Sequence, residues 1–211
     1  MRSSRAWRST VVTAAFRLFV FDLDGTLVDS RRDIADAANA LLESCGAPPL
    51  PEERIGRMVG DGAARLVVRA FAAGGVKSPP DALHRFLAIY NRRLLAHTRP
   101  YPGMSVTLDA LHSRASLAVL TNKPLASTRE ILTGLDLDRY FPTEAIVGGD
   151  GPHPRKPDPA GLRHLVSRAG VTPDCGAPGG RFGDRLADSA GRRNGYLSGP
   201  LRVRIRGLSA G

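Results

Sequence analysis

The stretch FRLFVFDLDGT contains a short unbroken apolar run, Leu18 to Phe21, that ends in acidic residues and a glycine. A run of that length bounded by turn residues predicts a buried strand of a parallel sheet, with chemistry at its carboxyl end. The pattern then changes period. Ile34, Ala37, Ala38, Leu41 and Leu42 fall on one helical stripe. Ser30 reads as the N-cap of that helix and Asp33 as an acid in its first turn, and Gly46 with the Pro48-Pro49 pair stops it. Further helical patterns cover about 51–58, 61–73 and 80–97, and no strand pattern lies between Ser30 and Gly103.

Alternation resumes at Gly103. A helix is predicted to Ser113, an apolar strand over Ser116–Thr121, a helix with Pro124 in its first turn reaching Leu135, a short strand over Ala145–Val147 and a helix over Pro159–Ala169. The fold class expected is therefore α/β, a Rossmann-like open parallel sheet with helices on both faces and an inserted helical block. The expected organisation is a core over 16–29 and 103–174, a helical domain over 30–102, a basic leader over 1–15 and an irregular tail over 175–211. Ligands of such sheets bind beyond the carboxyl ends of the strands, where Asp22, Asp24, Thr121 and Asn122 fall.

Composition narrows the function classes. At 42% apolar and 24% charged over 211 residues, the chain can bury a core. No apolar run reaches the ~18 residues of a membrane span, and two cysteines, Cys45 and Cys175, make neither a disulfide scaffold nor a zinc site. A reducing, cytoplasmic setting is expected. The net charge of +10 is carried by the ends: residues 1–17 hold +4, residues 175–211 hold +5 and the centre only +1. A nucleic-acid binder would carry a basic face on its folded part, so neither nucleic acid nor membrane is expected as a partner. The leader MRSSRAWRSTVVTAA has the Arg- and Ser-rich, acid-free character of a transit peptide; the plainer reading is a start codon placed too far upstream. Arginine outnumbers lysine 27 to 3, as in a GC-rich genome, which leaves Lys77, Lys123 and Lys156 as the only lysines.

Candidate chemistry starts at Asp22-Leu23-Asp24-Gly25-Thr26. In an extended segment the two carboxylates point to one side, a repulsive arrangement that a Mg²⁺ ion would relieve through hard oxygen ligands. One acid could then attack phosphorus while the other moves a proton; the plainer reading is an acidic turn ending a strand. Thr121-Asn122-Lys123-Pro124 ends the next strand and opens a helix, a place suited to a phosphate oxygen or to simple capping. Lys156, in RKPDP, could neutralise carboxylates and phosphate together, or be a surface lysine.

In combination, FDLDGTLVDS, LTNKP and RKPDP resemble the first three motifs of the haloacid dehalogenase superfamily of Mg²⁺-dependent phosphotransferases. GRMVGDGAARLVVRA, YPGM and VGGDGPHPRKPDP resemble, more narrowly, the phosphoglycolate phosphatases. The resemblance runs from about Phe16 to Asp174 and places the helical block where the superfamily carries a cap. It implies Asp22 as a nucleophile forming a phosphoaspartate, and Asp24 as general acid/base and, through its carbonyl, a metal ligand. It implies Thr121 and the backbone at Asn122 as holders of the phosphoryl group, and Lys156 as the stabiliser of its charge. Arg65 is expected as a solvated helical residue, with reach to a substrate carboxylate as the alternative. The implied activity is Mg²⁺-dependent hydrolysis of a small anionic phosphate, 2-phosphoglycolate first. Pyrophosphate or a sugar phosphate is the alternative, and a monomer or homodimer is expected.

The fourth motif, an apolar strand followed by Gly-Asp and a further acid, is not legible. Gly183-Asp184 and Asp188 imitate it, but Gly176, Pro178, Gly179 and Gly180 stand where its strand should be. Asp184 is the candidate for the remaining metal carboxylate. Back-translated and read one nucleotide later, Gly179–Leu186 can encode VGDSVIDW, which resembles the missing motif, and Leu197–Gly207 can encode CLARYGFGFE. The expectation is a frame shift near Cys175, an aberrant C-terminal part of the core and, as the third functional reading, an inactive product with a basic tail.

Overall fold

The computed structural model describes residues 17–171 and 201–202. The leader and almost all of the tail assigned above, with Cys175, Asp184 and the suspected frame shift, lie outside the described residues. The apolar run after Arg17 forms β1 (Leu18–Phe21), the tip of which carries the acids. β2 (Val28–Asp29) follows, then four helices, α1 (Arg31–Glu43), α2 (Glu52–Gly56), α3 (Ala63–Gly74) and α4 (Ala82–Asn91), and then β3 (Arg99–Pro100). The alternating part continues with α5 (Met104–His112), β4 (Ser116–Leu120), α6 (Leu125–Gly134), β5 (Ile146–Val147) and α7 (Ala160–Arg168); β6 (Leu201–Arg202) is the last described element.

The main sheet has the order β5-β4-β1-β6. β1 pairs in parallel with β4, Leu18 opposite Ser116 and Phe21 opposite Val119, and β4 pairs in parallel with β5. β6 lies antiparallel on the other side of β1. Alternation along the strands splits the core into two layers. Leu18, Val20, Ala118 and Leu120 pack with Leu162, Leu165 and Val166 of α7, whereas Phe21, Leu117 and Val119 join a larger cluster with Leu108 of α5 and with Ile131 and Leu132 of α6. That larger cluster does not stop at the sheet. Through Leu23, Leu27 and Val28 it runs on into Ile34, Leu41 and Leu42 of α1, Phe71 of α3 and Phe86 of α4. The stripe predicted for α1 is the buried one, and α1 packs against α2, α3 and α4.

Three local expectations change. The stretch between Ser30 and Gly103 does contain a strand: β3 pairs antiparallel with β2, Val28 opposite Pro100 and Asp29 opposite Arg99. The ribbon joins the two ends of the helical block and is too short to show a period. The helix expected over 80–97 ends at Asn91, and residues 92–97 continue as single turns. These turns present His97 and Thr98 to Asp33. The Asp33 carboxylate, fully buried, accepts from the His97 amide at 2.9 Å, the Thr98 amide at 2.7 Å and the Thr98 hydroxyl at 2.7 Å. Finally, Ser30 occupies the N-cap position of α1 but makes no capping bond, because its hydroxyl is used elsewhere.

Asp33 thus ties the start of α1 to the return from α4. Asp33→Ala leaves the buried Thr98 amide and hydroxyl without their acceptor, which is expected to cost about 2–3 kcal/mol. Urea unfolding should show a lower midpoint at unchanged slope.

Candidate active site

The tip of β1 is shaped by its own backbone. The Leu23 carbonyl accepts from the amides of Thr26, Leu27 and Val28, and the Gly25 amide donates to the Val28 carbonyl at 2.9 Å. Gly25 takes φ +78°, the left-handed region that glycine enters without strain. This tight wrap drives Leu23 and Leu27 into the core, both with no exposed surface. Asp22 and Asp24, on either side of Leu23, are left partly open and line a single cavity together with Thr121, Asn122 and Lys123. Val59, Leu66, Phe86 and Tyr90 of the helical block form the opposite wall.

Each acid has its own ammonium. The Asp22 Oδ2 lies 2.8 Å from Lys156 Nζ, and Asp22 Oδ1 accepts from the Leu23 amide at 2.8 Å. The Asp24 Oδ2 lies 3.0 Å from Lys123 Nζ, and Asp24 Oδ1 accepts from the Ser30 hydroxyl at 2.5 Å. The expectation that Lys156 neutralises the whole site therefore needs amending, since it pairs with Asp22 while a second lysine serves Asp24. Lys123 also donates to Tyr90 Oη at 2.8 Å. Burial works against its charge, but the Asp24 carboxylate and Tyr90 outweigh burial and hold the Lys123 ammonium above its ordinary pKa. Burial, partly countered by Lys123, pushes the Tyr90 phenol up to about 12, so it stays protonated.

Thr121 sits one residue beyond β4 and is 3% exposed. Its amide continues the sheet by donating to the Val147 carbonyl at 3.0 Å. Its Oγ1 accepts from the Lys123 amide, which leaves the hydroxyl proton free to donate. Asn122 was expected to act through its backbone; its side chain is a strut. Asn122 Nδ2 donates to the carbonyls of Gly60 and Lys156, and Asn122 Oδ1 accepts from the Lys156 amide at 2.8 Å. The β4 tip thereby fixes both the loop that carries Lys156 and the loop leading into α3. Arg65 is largely exposed and lies near Asp61, just before its own helix, in keeping with the solvated reading.

The donors offered at the β1 tip are all oxygen, two of them carboxylates, a set that fits a hard divalent cation such as Mg²⁺. Asp22 and Asp24 would hold it; Asp184, expected as the further carboxylate, lies outside the described residues. Asp33, Asp36 and His97 also cluster, but the Asp33 oxygens are taken up by His97 and Thr98 and Asp36 is paired with Arg93 at 2.6 Å. That cluster is a structural knot.

Sequence reasoning brought Asp22, Asp24, Thr121, Asn122 and Lys156 to one place, and the structure gathers them there. Lys123 and Tyr90 had no role assigned from the sequence, and Ser30, at the N-cap position as expected, spends its hydroxyl on Asp24 and not on the cap. The signals pointing to Lys123 are the scarcity of lysine and its place in LTNKP. Close approach of the loops is a further requirement: a Cβ on Gly149 would lie 2.3 Å from the Asn122 carbonyl oxygen. Gly149→Ala must push the two loops apart, an overpacking cost of about 2 kcal/mol that should lower the thermal midpoint.

The family model described as haloacid dehalogenase-like hydrolase matches residues 19–190. A phosphoglycolate phosphatase of Rhodospirillum rubrum is 46% identical over 164 residues, covering 74% of this chain and 67% of that protein. A phosphoglycolate phosphatase of Caulobacter vibrioides is 34% identical over 186 residues, covering 86% of this chain and 76% of that protein. Among solved structures, a protein of Haemophilus somnus described as a predicted phosphoglycolate phosphatase superposes with a TM-score of 0.70 at 32% identity, covering 77% of this chain and 75% of that one.

Proposed function

The chain belongs to the haloacid dehalogenase-like hydrolases, and on that premise we propose that it is a phosphatase that transfers a phosphoryl group to Asp22 and then to water, with 2-phosphoglycolate as substrate. The observation that carries this reading is the Asp22 carboxylate at a strand tip, paired with Lys156 at 2.8 Å and sharing a cavity with the hydroxyl of Thr121. We take residues 30–102 as the cap and 16–29 with 103–174 as the core. The names of the relatives support the substrate.

An Asp22 oxygen attacks phosphorus while the bond to the leaving oxygen breaks. The Thr121 hydroxyl and the Asn122 amide hold the phosphoryl oxygens, and the Lys156 ammonium faces the charge that gathers there. Asp24 gives a proton to the leaving oxygen and takes one from the water that later cleaves the phosphoaspartate. A Mg²⁺ ion held by Asp22 and by the Asp24 carbonyl would offset the negative charge that nucleophile and phosphate bring together. The apolar wall of Val59, Leu66 and Phe86 shields the site from bulk water.

The test is inorganic phosphate release from a panel of 2-phosphoglycolate, pyrophosphate and sugar phosphates. The highest kcat/KM is expected on 2-phosphoglycolate, with loss in EDTA and recovery on adding Mg²⁺. Faster turnover of pyrophosphate or a sugar phosphate would overturn the substrate. A folded chain that turned over nothing would be the inactive product. Asp22→Asn, which replaces the nucleophile, should lower kcat by at least about 1,000-fold. Lys156→Met should lower it by about 100-fold, the scale seen when one charge-stabilising donor is removed.

A further inference from the structure

On the reading that Asp24 moves the proton, we propose that Lys123 is the positioning residue that fixes the Asp24 carboxylate for that transfer, and that Tyr90 of α4 in turn fixes Lys123. The Lys123 side chain is 5% exposed and that of Asp24 15%, with 3.0 Å between Nζ and Oδ2. Tyr90 accepts from the same Nζ at 2.8 Å and its ring centroid lies 4.5 Å away. The ammonium is thereby held between one carboxylate of the sheet and one phenol of the helical block. A buried ion pair is a poor way to gain stability, since apolar residues of similar volume serve a core as well or better. Its presence beside the acid assigned to proton transfer points to orientation.

The geometry supports that role. Asp24 Oδ1 takes the Ser30 hydroxyl and Oδ2 takes Lys123, so rotation about the carboxyl group is locked from both sides. Each carboxylate oxygen has two lone pairs, and one on each remains for the proton in transit. During transfer the Asp24 proton passes to the leaving oxygen as the P–O bond breaks and the bond from Asp22 to phosphorus forms. Asp24 recovers a proton from water as the water oxygen bonds to phosphorus and the phosphoaspartate is cleaved. Lys123 keeps its protons throughout and touches no reacting atom. Because the neutral Tyr90 hydroxyl comes from α4, the orientation of Asp24 depends on where the helical block sits.

Leaving groups separate positioning from a general loss of structure. A glycolate alkoxide must be protonated to depart, whereas p-nitrophenolate departs unaided. Lys123→Met keeps the volume of the side chain and removes its charge. Its kcat/KM for 2-phosphoglycolate, which reports the steps up to departure of the leaving group and not the later attack of water, should fall about 100-fold, the scale of one general-acid contribution. The kcat/KM for p-nitrophenyl phosphate should fall less than about threefold. Tyr90→Phe, which keeps the ring, should show the same ordering with a loss of about 10-fold on 2-phosphoglycolate. Equal losses on both substrates in both variants, or no loss in either, would overturn the proposal. Asp24→Asn is the control for the reading beneath it. If Asp24→Asn shows the leaving-group dependence and the other two variants do not, Lys123 fails and Asp24 stands. If Asp24→Asn itself treats both substrates alike, the proton-transfer reading falls and this inference falls with it.

Discussion

Two carboxylates two residues apart at the end of one strand repel each other, and much of the site answers that repulsion. Lys156 meets Asp22 at 2.8 Å and Lys123 meets Asp24 at 3.0 Å. Each lysine arrives by a different route. Lys123 follows β4, which the parallel register sets beside β1. Lys156 comes from the loop before α7, which Asn122 pins to the same strand end through two hydrogen bonds. At such separations a partly desolvated pair interacts by several kcal/mol before the cost of burial is counted. The arrangement is therefore sensitive to small shifts of either loop, which accounts for the close glycine contact at Gly149.

Much of this could be read from the sequence, for identifiable reasons. The run Leu18–Phe21 and the stripe of α1 carry unambiguous periods, and both came out as read. The ribbon of β2 and β3 has two residues per strand, one of them a proline, so it offers no period at all. The early end of α4 is a tertiary effect: the turns at 92–97 exist because Asp33 needs amides, and no local propensity records that need. At the site, Asp22 and Thr121 follow apolar runs that predict strands, and Lys156 stands in a proline-stiffened loop before a helix. Lys123 draws its meaning from Tyr90, 33 residues upstream on a different element. Ser30 looked like a capping residue because nothing local showed that Asp24 would claim its hydroxyl.

The hydrophobic core explains how a helical block and a sheet can share one site. Leu23 and Leu27 lie in the same turn as the acids and belong to the cluster that also contains Phe71 and Phe86. Burying side chains of that size contributes about 1.5–3 kcal/mol each. The wrap around the Leu23 carbonyl therefore positions the acids and anchors the helices at once. Asp33 fastens the start of α1 to the segment by which the chain returns to the sheet. The two connections differ in chemistry, one apolar and one a buried carboxylate among amides, and together with the β2–β3 ribbon they hold the wall of the cavity in register with its floor.

The lysines have a further consequence. This chain supplies 27 of its 30 fixed cations as arginine, yet ammonium groups stand at both acids. A guanidinium brings a flat fork of five donors. Between one carboxylate oxygen and one phenol, at a side chain only 5% exposed, such a fork would leave hydrogens buried with nothing to receive them. Nucleotide bias can convert most of a protein's basic positions without harm, but here it meets a limit of acceptors: Asp24 and Tyr90 satisfy a point charge on a slim stem and leave most of a five-donor fork unmatched.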